Sequence, residues 1–178
     1  LGTVTSGGDL LATAGTDLTA ATLSSGGNAT LAATSGNLGI TGSLSAAKDA
    51  TLTSGQDSTI AAMTVGGALA LNSGGNAHIV QGNVAGTSQI GAGGELDMDS
   101  YQAGSDVTTQ SVATTNLGNV VLSNGSIQSS TGTDLNVTQA LNVQHGNAAL
   151  KAGADMALAQ VTTSGDLTAQ AGGNLQAT

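Results

Sequence analysis

The chain lacks cysteine, proline, tryptophan, phenylalanine and arginine, and Tyr101 is its only aromatic residue. Without cysteine it has neither a disulfide framework nor thiol chemistry. Conventional globular cores combine aliphatic residues with larger ones such as phenylalanine, so a core of that kind is not expected. Disordered chains are usually rich in proline and charge, whereas only 7% of these residues are charged. An ordered, repetitive β structure is therefore favoured.

Basic residues are almost absent, since Lys48 and Lys151 stand against 11 acidic residues and the net charge is −9. Nucleic acids and anionic lipid surfaces are bound through basic patches, so neither class of partner is expected. No apolar run is long enough to cross a bilayer as a helix, and no signal peptide opens the chain at Leu1. Both ends fall inside the repeat described next, which predicts a piece of a longer array.

A glycine followed closely by an acidic or amide residue recurs along the whole chain, at an interval of about 20 residues. These glycines are Gly15, Gly36, Gly55, Gly74, Gly93, Gly132, Gly153 and Gly172, with Thr114 replacing glycine in one degenerate copy. An interval of this length is typical of stacked, similar units rather than of an ordinary globular fold.

Apolar and small residues alternate on both sides of each glycine, as in Leu10, Ala12 and Ala14 before Gly15. Period-two alternation indicates strands with one buried face. The pattern predicts an all-β fold, a right-handed parallel β-helix of about nine coils of 18–21 residues with three short strands per coil. Residues 1–178 would form a single array, whose register is least defined at residues 104–125.

Stacking at the spacing of hydrogen-bonded strands would give a rod about 40 Å long. Each inward residue would pack on its counterpart in the coils above and below, and alignment on the glycines makes Leu31 the counterpart of Leu10. Corner asparagines and aspartates are expected to bond the backbone amides of neighbouring coils.

Residues 165–175 read Gly-Asp-Leu-Thr-Ala-Gln-Ala-Gly-Gly-Asn-Leu, and this unit resembles the repeats of filamentous haemagglutinins. Such repeats occur in large exoproteins of bacterial two-partner secretion systems, including adhesins and contact-dependent growth-inhibition toxins. The resemblance covers essentially the whole chain, and Thr114 departs from it. It implies a right-handed β-helix and export through a dedicated outer-membrane transporter. It also implies a stalk role in a secreted or cell-surface protein that contacts a host-cell or bacterial receptor through other regions.

One acidic cluster stands out, because Glu95, Asp97 and Asp99 alternate with apolar residues and would share an outward strand face. Such a face could attract a hard divalent cation, or it could simply keep the rod soluble and discourage lateral pairing. Tyr101 follows with the same parity and could stack on a sugar or be an ordinary surface residue. These four residues form the only tentative surface contact that the pattern offers.

Catalytic machinery is not evident in the sequence. A β-helical lyase generally needs a basic residue, and Lys48 and Lys151 lie far apart; His78 and His145 have no neighbouring ligand for zinc. We therefore expect no catalytic residue, cofactor or metal site. The sequence favours a structural shaft, with a glycan- or receptor-binding module on the β-helix face as the alternative and a polysaccharide-degrading enzyme last.

Overall fold

The chain forms two parallel sheets, and the computed structural model describes all 178 residues. The first sheet, here the long sheet, contains β1 Thr3–Ser6, β3 Leu18–Ser25, β5 Leu38–Ala46, β7 Ser58–Val65, β9 Ala77–Val84, β11 Leu96–Ala103, β13 Thr115–Leu122, β15 Leu135–Val143, β17 Met156–Leu158, β18 Val161–Thr163 and β20 Leu175–Ala177. The second, here the short sheet, contains β2 Leu10–Ala14, β4 Ala29–Ala33, β6 Ala50–Ser54, β8 Leu69–Ser73, β10 Ser88–Ala92, β12 Val107–Ser111, β14 Ile127–Thr131, β16 Ala148–Ala152 and β19 Leu167–Ala171.

The chain alternates between the two sheets, so each coil consists of a short strand, a turn, a long strand and a second turn. Successive strands of one sheet come from successive coils and pair in parallel, as β8 does with β6 and β10. The result is a β-solenoid of about nine turns without any helix, which confirms the predicted parallel β-helix. Right-handed winding is the sense expected for parallel crossovers.

The long strands bend in the middle, and this bend gives each coil three sides. In β11 the inward positions are Leu96, Met98, Tyr101 and Ala103, so two consecutive residues face outward at the bend. The predicted second and third segments of a coil are therefore joined into one bent strand. They remain separate only in the coil that contains β17 and β18.

The interior is a continuous ladder of aliphatic side chains. Leu52 pairs with Leu71, which pairs in turn with Ile90, and none of the three is more than 2% exposed. A single cluster of 41 buried hydrophobic residues extends in this way from Leu10 to Leu158. One core thus runs through every coil from β2 to β17.

The turns are hydrogen-bonded from coil to coil as the strands are. The amide of Gly74 donates to the carbonyl of Ser54 at 3.0 Å, and the amide of Gly75 donates to the carbonyl of Gln56 at 2.8 Å. A Cβ at position 74 would collide with the carbonyl oxygen of Gly55 in the preceding coil. Glycine recurs at this corner because the backbones of neighbouring coils approach so closely.

Asparagine and aspartate form a column along each of the two corners, as the sequence predicts. In the column that follows the short strands, Oδ1 of Asp57 accepts the amide of Asn76 at 2.7 Å, and Oδ1 of Asn76 accepts the amide of Glu95 at 2.8 Å. Equivalent bonds in the two columns link Asp9 to Asn28, Asn28 to Asp49, Asp49 to Ala68, Asp17 to Asn37, Asn37 to Asp57, Asp106 to Ser126, Asn147 to Asp166, Asp134 to Asp155 and Asp155 to Asn174.

Both columns are interrupted in the middle of the solenoid. No bond of this kind follows Ala68 or Thr87 in one column, because neither side chain carries a carboxylate or amide. In the other, the side chains of Glu95 and Thr114 do not reach the next backbone amide, and Thr114 instead bonds the hydroxyl of Thr133 at 3.2 Å. The central coils are therefore held by backbone pairing with less support at their corners.

The predicted register is wrong in two coils, because their turns differ from the repeat. Leu10 pairs with Ala29 rather than Leu31, because Gly36 is the third residue of a four-residue turn, whereas Gly15 is the first residue of a three-residue turn. Val112, not Thr114, occupies the degenerate corner, because it directly follows Ser111, the partner of Ala92. Residues 104–125 are otherwise continuous with the coils on either side.

Two further four-residue turns require glycine for conformational reasons. Gly125 has φ of +114° and Gly146 has φ of +152°, a region that other residues rarely adopt. Each glycine lies in the turn that leads from a long strand to the next short strand. An extra turn residue is thus accommodated without disturbing the pairing of the strands on either side.

Replacing Leu69 by aspartate should unfold the surrounding coils. Leu69 is 2% exposed and lies in the ladder between Ala50 and Ser88, so the substitution would bury an unpaired carboxylate at a cost of several kcal/mol. Amide hydrogen exchange in β6, β8 and β10 would report the loss. Asn72→Asp is the matched control, because it places the same group on the exposed side of the same strand. If Leu69→Asp had unchanged thermal stability, the claim that Leu69 packs in a buried aliphatic ladder would be wrong.

Replacing Asp57 by alanine should cost about 1 kcal/mol in the free energy of unfolding, because the amide of Asn76 loses its side-chain acceptor. Urea unfolding followed by circular dichroism would measure the change. Gln56→Ala, an exposed substitution in the same turn, removes no such acceptor and should leave stability unchanged. Equal effects of the two variants would mean that the corner column contributes nothing.

Candidate functional site

The predicted acidic face lies on β11 and in the turn before it. Asp97 and Asp99 point outward as expected, and Glu95 lies exposed at the corner. Asn116 of the next coil donates its side-chain amide to Asp97 at 2.6 Å, and Nε2 of His78 in the preceding coil lies 3.0 Å from a carboxylate oxygen of Asp99. The two carboxylates thus interact with side chains of opposite neighbouring coils.

This arrangement resembles an extension of the side-chain ladders more than a ligand cage. The side-chain oxygen of Asn116 in turn accepts a bond from Asn136 at 2.9 Å, so the row continues away from the acids. No three histidine, cysteine, aspartate or glutamate side chains are grouped so that they could hold a metal ion. The geometry supports a solvated face whose polar groups link coils laterally.

Tyr101 does not belong to this face, and its predicted exposure is wrong. Its side chain is fully buried, and its hydroxyl donates a 2.7 Å bond to the hydroxyl of Ser88 on the opposite short strand. The bend at Asp99 and Ser100 places two residues outward in succession, which reverses the alternation that runs from Leu96. The predicted contact surface therefore contains no aromatic residue.

A glycine in the preceding coil makes room for the Tyr101 ring. Gly82 is the strand partner of Tyr101, and a Cβ at position 82 would collide with the ring. The partners of these positions in the flanking coils are Met63 and Val120. The smallest and the largest residues of this ladder are thus partners in adjacent coils, and together they keep the interior filled.

Buried hydroxyl groups replace much of the aliphatic ladder in the central coils. They belong to Ser54, Ser58, Ser73, Ser88, Thr109, Ser111, Thr115, Ser129 and Thr131. Alignment on the glycines places many of these residues at inward positions, but the sequence does not predict the hydrogen bonds among them. Ser111 contacts the hydroxyls of Thr115 at 2.7 Å and Thr131 at 3.0 Å, and Thr109 donates to Ser129 at 2.7 Å. No buried side-chain nitrogen or oxygen lacks a partner, because the hydroxyls bond one another and nearby backbone carbonyls such as that of Ala113.

The remaining polar candidates are far from one another. Nδ1 of His145 donates to the carbonyl of Ser123 at 2.8 Å in a turn, far along the chain from the pair of His78 and Asp99. Lys48 lies in a turn and Lys151 on β16, with several coils between them. The structure does not bring these groups into one site. It contains no helix that could span a membrane.

A cavity of about 580 Å³ lies at the end of the aliphatic interior beside the first coil and is lined by residues such as Val4, Leu10 and Leu18. It therefore belongs to the core rather than to a separate site. Smaller depressions lie on the outer face of the short sheet, around Gly91 and around Ala70.

Comparison of the chain with protein-family models, with curated proteins and with solved structures gave no match.

The pairing of Gly82 with Tyr101 predicts a strong coupling between the two positions. Gly82→Ala should destabilise the wild-type protein by about 1–3 kcal/mol, because the ring has no free space to enter. The same substitution should be nearly neutral in a Tyr101→Leu background, where the ring is gone. Urea unfolding of the four proteins measures the coupling. If Gly82→Ala lowered the free energy of unfolding equally in both backgrounds, the contact between Gly82 and the Tyr101 ring would not contribute to stability.

Tyr101 should also make stability sensitive to alkali. Burial raises the pKa of Tyr101 above its ordinary value of 10.0, and the bond to Ser88 offsets part of this rise. As the pH rises, the unfolded chain therefore loses the phenolic proton before the folded chain does. The contribution of Tyr101 to the free energy of unfolding is complete below about pH 10 and is lost as the pH rises further. The stability difference between wild type and Tyr101→Phe should shrink above that pH. A difference that stays constant in urea titrations would contradict the burial.

Proposed function

We propose that the chain is a shaft segment of a large secreted, filamentous haemagglutinin-like exoprotein of the bacterial cell surface. The observation that carries the proposal is the single interior that runs through the coils without a break. The chain has the form of a rod in which each coil supports the next. The resemblance of its repeats to those of two-partner secretion exoproteins supplies the biological setting.

The architecture suits a mechanical role. Every coil is joined to its neighbours by parallel strand pairing on both sheets and by backbone bonds at the turns. Bending the rod would strain many of these bonds together, since they lie around the whole circumference. A stiff rod of about 40 Å can hold a distant functional tip away from the producing cell.

The parent protein would mediate adhesion or contact-dependent growth inhibition. In this proposal an outer-membrane transporter of the two-partner secretion type exports the chain, and other regions of the parent contact the host-cell or bacterial receptor. The shaft itself needs no cofactor and performs no catalysis.

The acidic face supports a binding module less well than the sequence suggests. Tyr101 is buried, and Asp97 and Asp99 already have side-chain partners in neighbouring coils. A polysaccharide-degrading site gains no supporting contact either, since Lys48 and Lys151 are separated along the rod. The alternative of glycan binding therefore depends on a different surface.

Replacement of a shaft segment tests the proposal. Residues 1–178 would substitute for an equal length of repeat in a filamentous haemagglutinin-type exoprotein whose tip activity can be assayed on target cells. We expect export and tip activity to persist, because a spacer is required only to fold and to span. Immunoblots of the exported protein and the target-cell assay report the two properties separately.

A chimera that carries Leu69→Asp is the control, since it preserves length but disrupts the ladder. This chimera should be exported poorly or should lose tip activity on target cells. Failure of the wild-type chimera to be exported, or loss of tip activity after normal export, would contradict a shaft function.

A further inference from the structure

The outer face of the short sheet contains one position without a side chain. Gly91 is the only glycine in the nine short strands, and its backbone pairs with Asn72 in the preceding coil and Gln110 in the following one. These three positions form one outward column, so the glycine leaves a gap between two amide side chains. The gap is a depression of about 180 Å³ that Gln89 and Thr108 also line.

The backbone does not need glycine at this position. Gly91 lies in an extended strand and does not have a positive φ. A Cβ there would meet the side-chain oxygen of Asn72 at 3.1 Å and nothing else closer than 3.9 Å. Because the Asn72 side chain is exposed, a small shift would relieve this contact.

Glycine in a strand interior reduces stability relative to alanine, and it often marks a place where another group approaches the backbone closely. Most corner glycines closely approach the backbone or a corner side chain of the preceding coil, and Gly82 approaches the Tyr101 ring. Among the glycines within strands, Gly39 and Gly91 alone meet nothing closer than 3.0 Å, and Gly91 lines a depression. The depression at Gly91 therefore points to a partner from outside the chain.

The groups around the depression define the chemistry of that partner. Asn72, Gln89 and Gln110 each offer an amide donor beside a carbonyl acceptor, and Thr108 adds a hydroxyl. Paired donors and acceptors match the neighbouring hydroxyl groups of a sugar ring, and the bare Gly91 backbone admits the face of that ring. We propose that this depression, the Gly91 niche, binds a neutral oligosaccharide.

Charge favours a neutral ligand. Lys151 is the only charged residue in the nine short strands, and none lines the niche. An anionic glycan would meet a chain of net charge −9, and a cation would find no carboxylate in the niche. A second depression of about 370 Å³ shares Asn72, Gly91 and Gln110 and continues the surface toward Val112. A chain of sugars therefore has more contact surface than a monosaccharide.

Nuclear magnetic resonance of the whole chain tests the proposal directly. The side-chain amide signals of Asn72, Gln89 and Gln110 would be followed during titration with neutral hexasaccharides of glucose, xylose and N-acetylglucosamine. We expect at least one sugar to shift these three signals saturably, with Kd of about 1 mM because no aromatic residue is available for stacking. If none of the sugars shifts them, or a neutral hexapeptide alone does so, the proposal is overturned.

A pair of glycine substitutions provides the matched control. Gly91→Ala places a methyl group in the niche between Asn72 and Gln110 and should abolish the shifts while leaving the protein folded and at least as stable. Gly39→Ala also adds a methyl group to a strand, in this case on the long sheet, where it meets only Thr19 atoms at 3.6 and 3.7 Å. Gly39→Ala should bind like wild type. Retained binding by Gly91→Ala would place the sugar elsewhere and refute the niche.

Discussion

Parallel pairing between successive coils is the constraint on which the rest of the molecule depends. It stacks equivalent residues of neighbouring coils directly on one another, so each side chain has the same kind of neighbour above and below. Leucine, isoleucine and valine can then form continuous ladders, and a core is built without phenylalanine or tryptophan. The same stacking brings Oδ1 of each corner residue such as Asp57 to the amide of the next coil. Aliphatic interior and polar corners are thus two consequences of one spacing.

Stacking also explains how the solenoid tolerates unusual residues. The Tyr101 ring is accommodated because its partner is Gly82, and hydroxyl groups such as that of Ser111 are buried together so that each finds a partner. A polar residue placed alone in an aliphatic ladder would be costly, whereas neighbouring polar residues satisfy one another. The central coils therefore exchange apolar packing for hydrogen bonds within the interior, where both corner columns are also interrupted.

The repeat and its alternation are enough to predict the solenoid, the inward positions of most coils and the corner columns, because these features depend on local periodicity. The errors arise where the periodicity is broken locally. Gly36 is third in a turn of four residues rather than first in a turn of three, which displaces the predicted ladder by two positions. The bend after Asp99 moves Tyr101 from the surface to the core. Gly91 could be recognised only after the strands were assigned, since glycine is common throughout the chain and its surroundings identify this one.

The four-residue turns have a consequence for how such a rod can diversify. At Gly125 and Gly146 the chain gains a residue while the strands on both sides keep their partners. These two length changes are therefore absorbed at the edge of a coil and are not transmitted to the interior. Loops grafted at these corners would project from a fixed scaffold, about 4.8 Å apart in adjacent coils. The rod can thus acquire new surface features one coil at a time without redesign of its core.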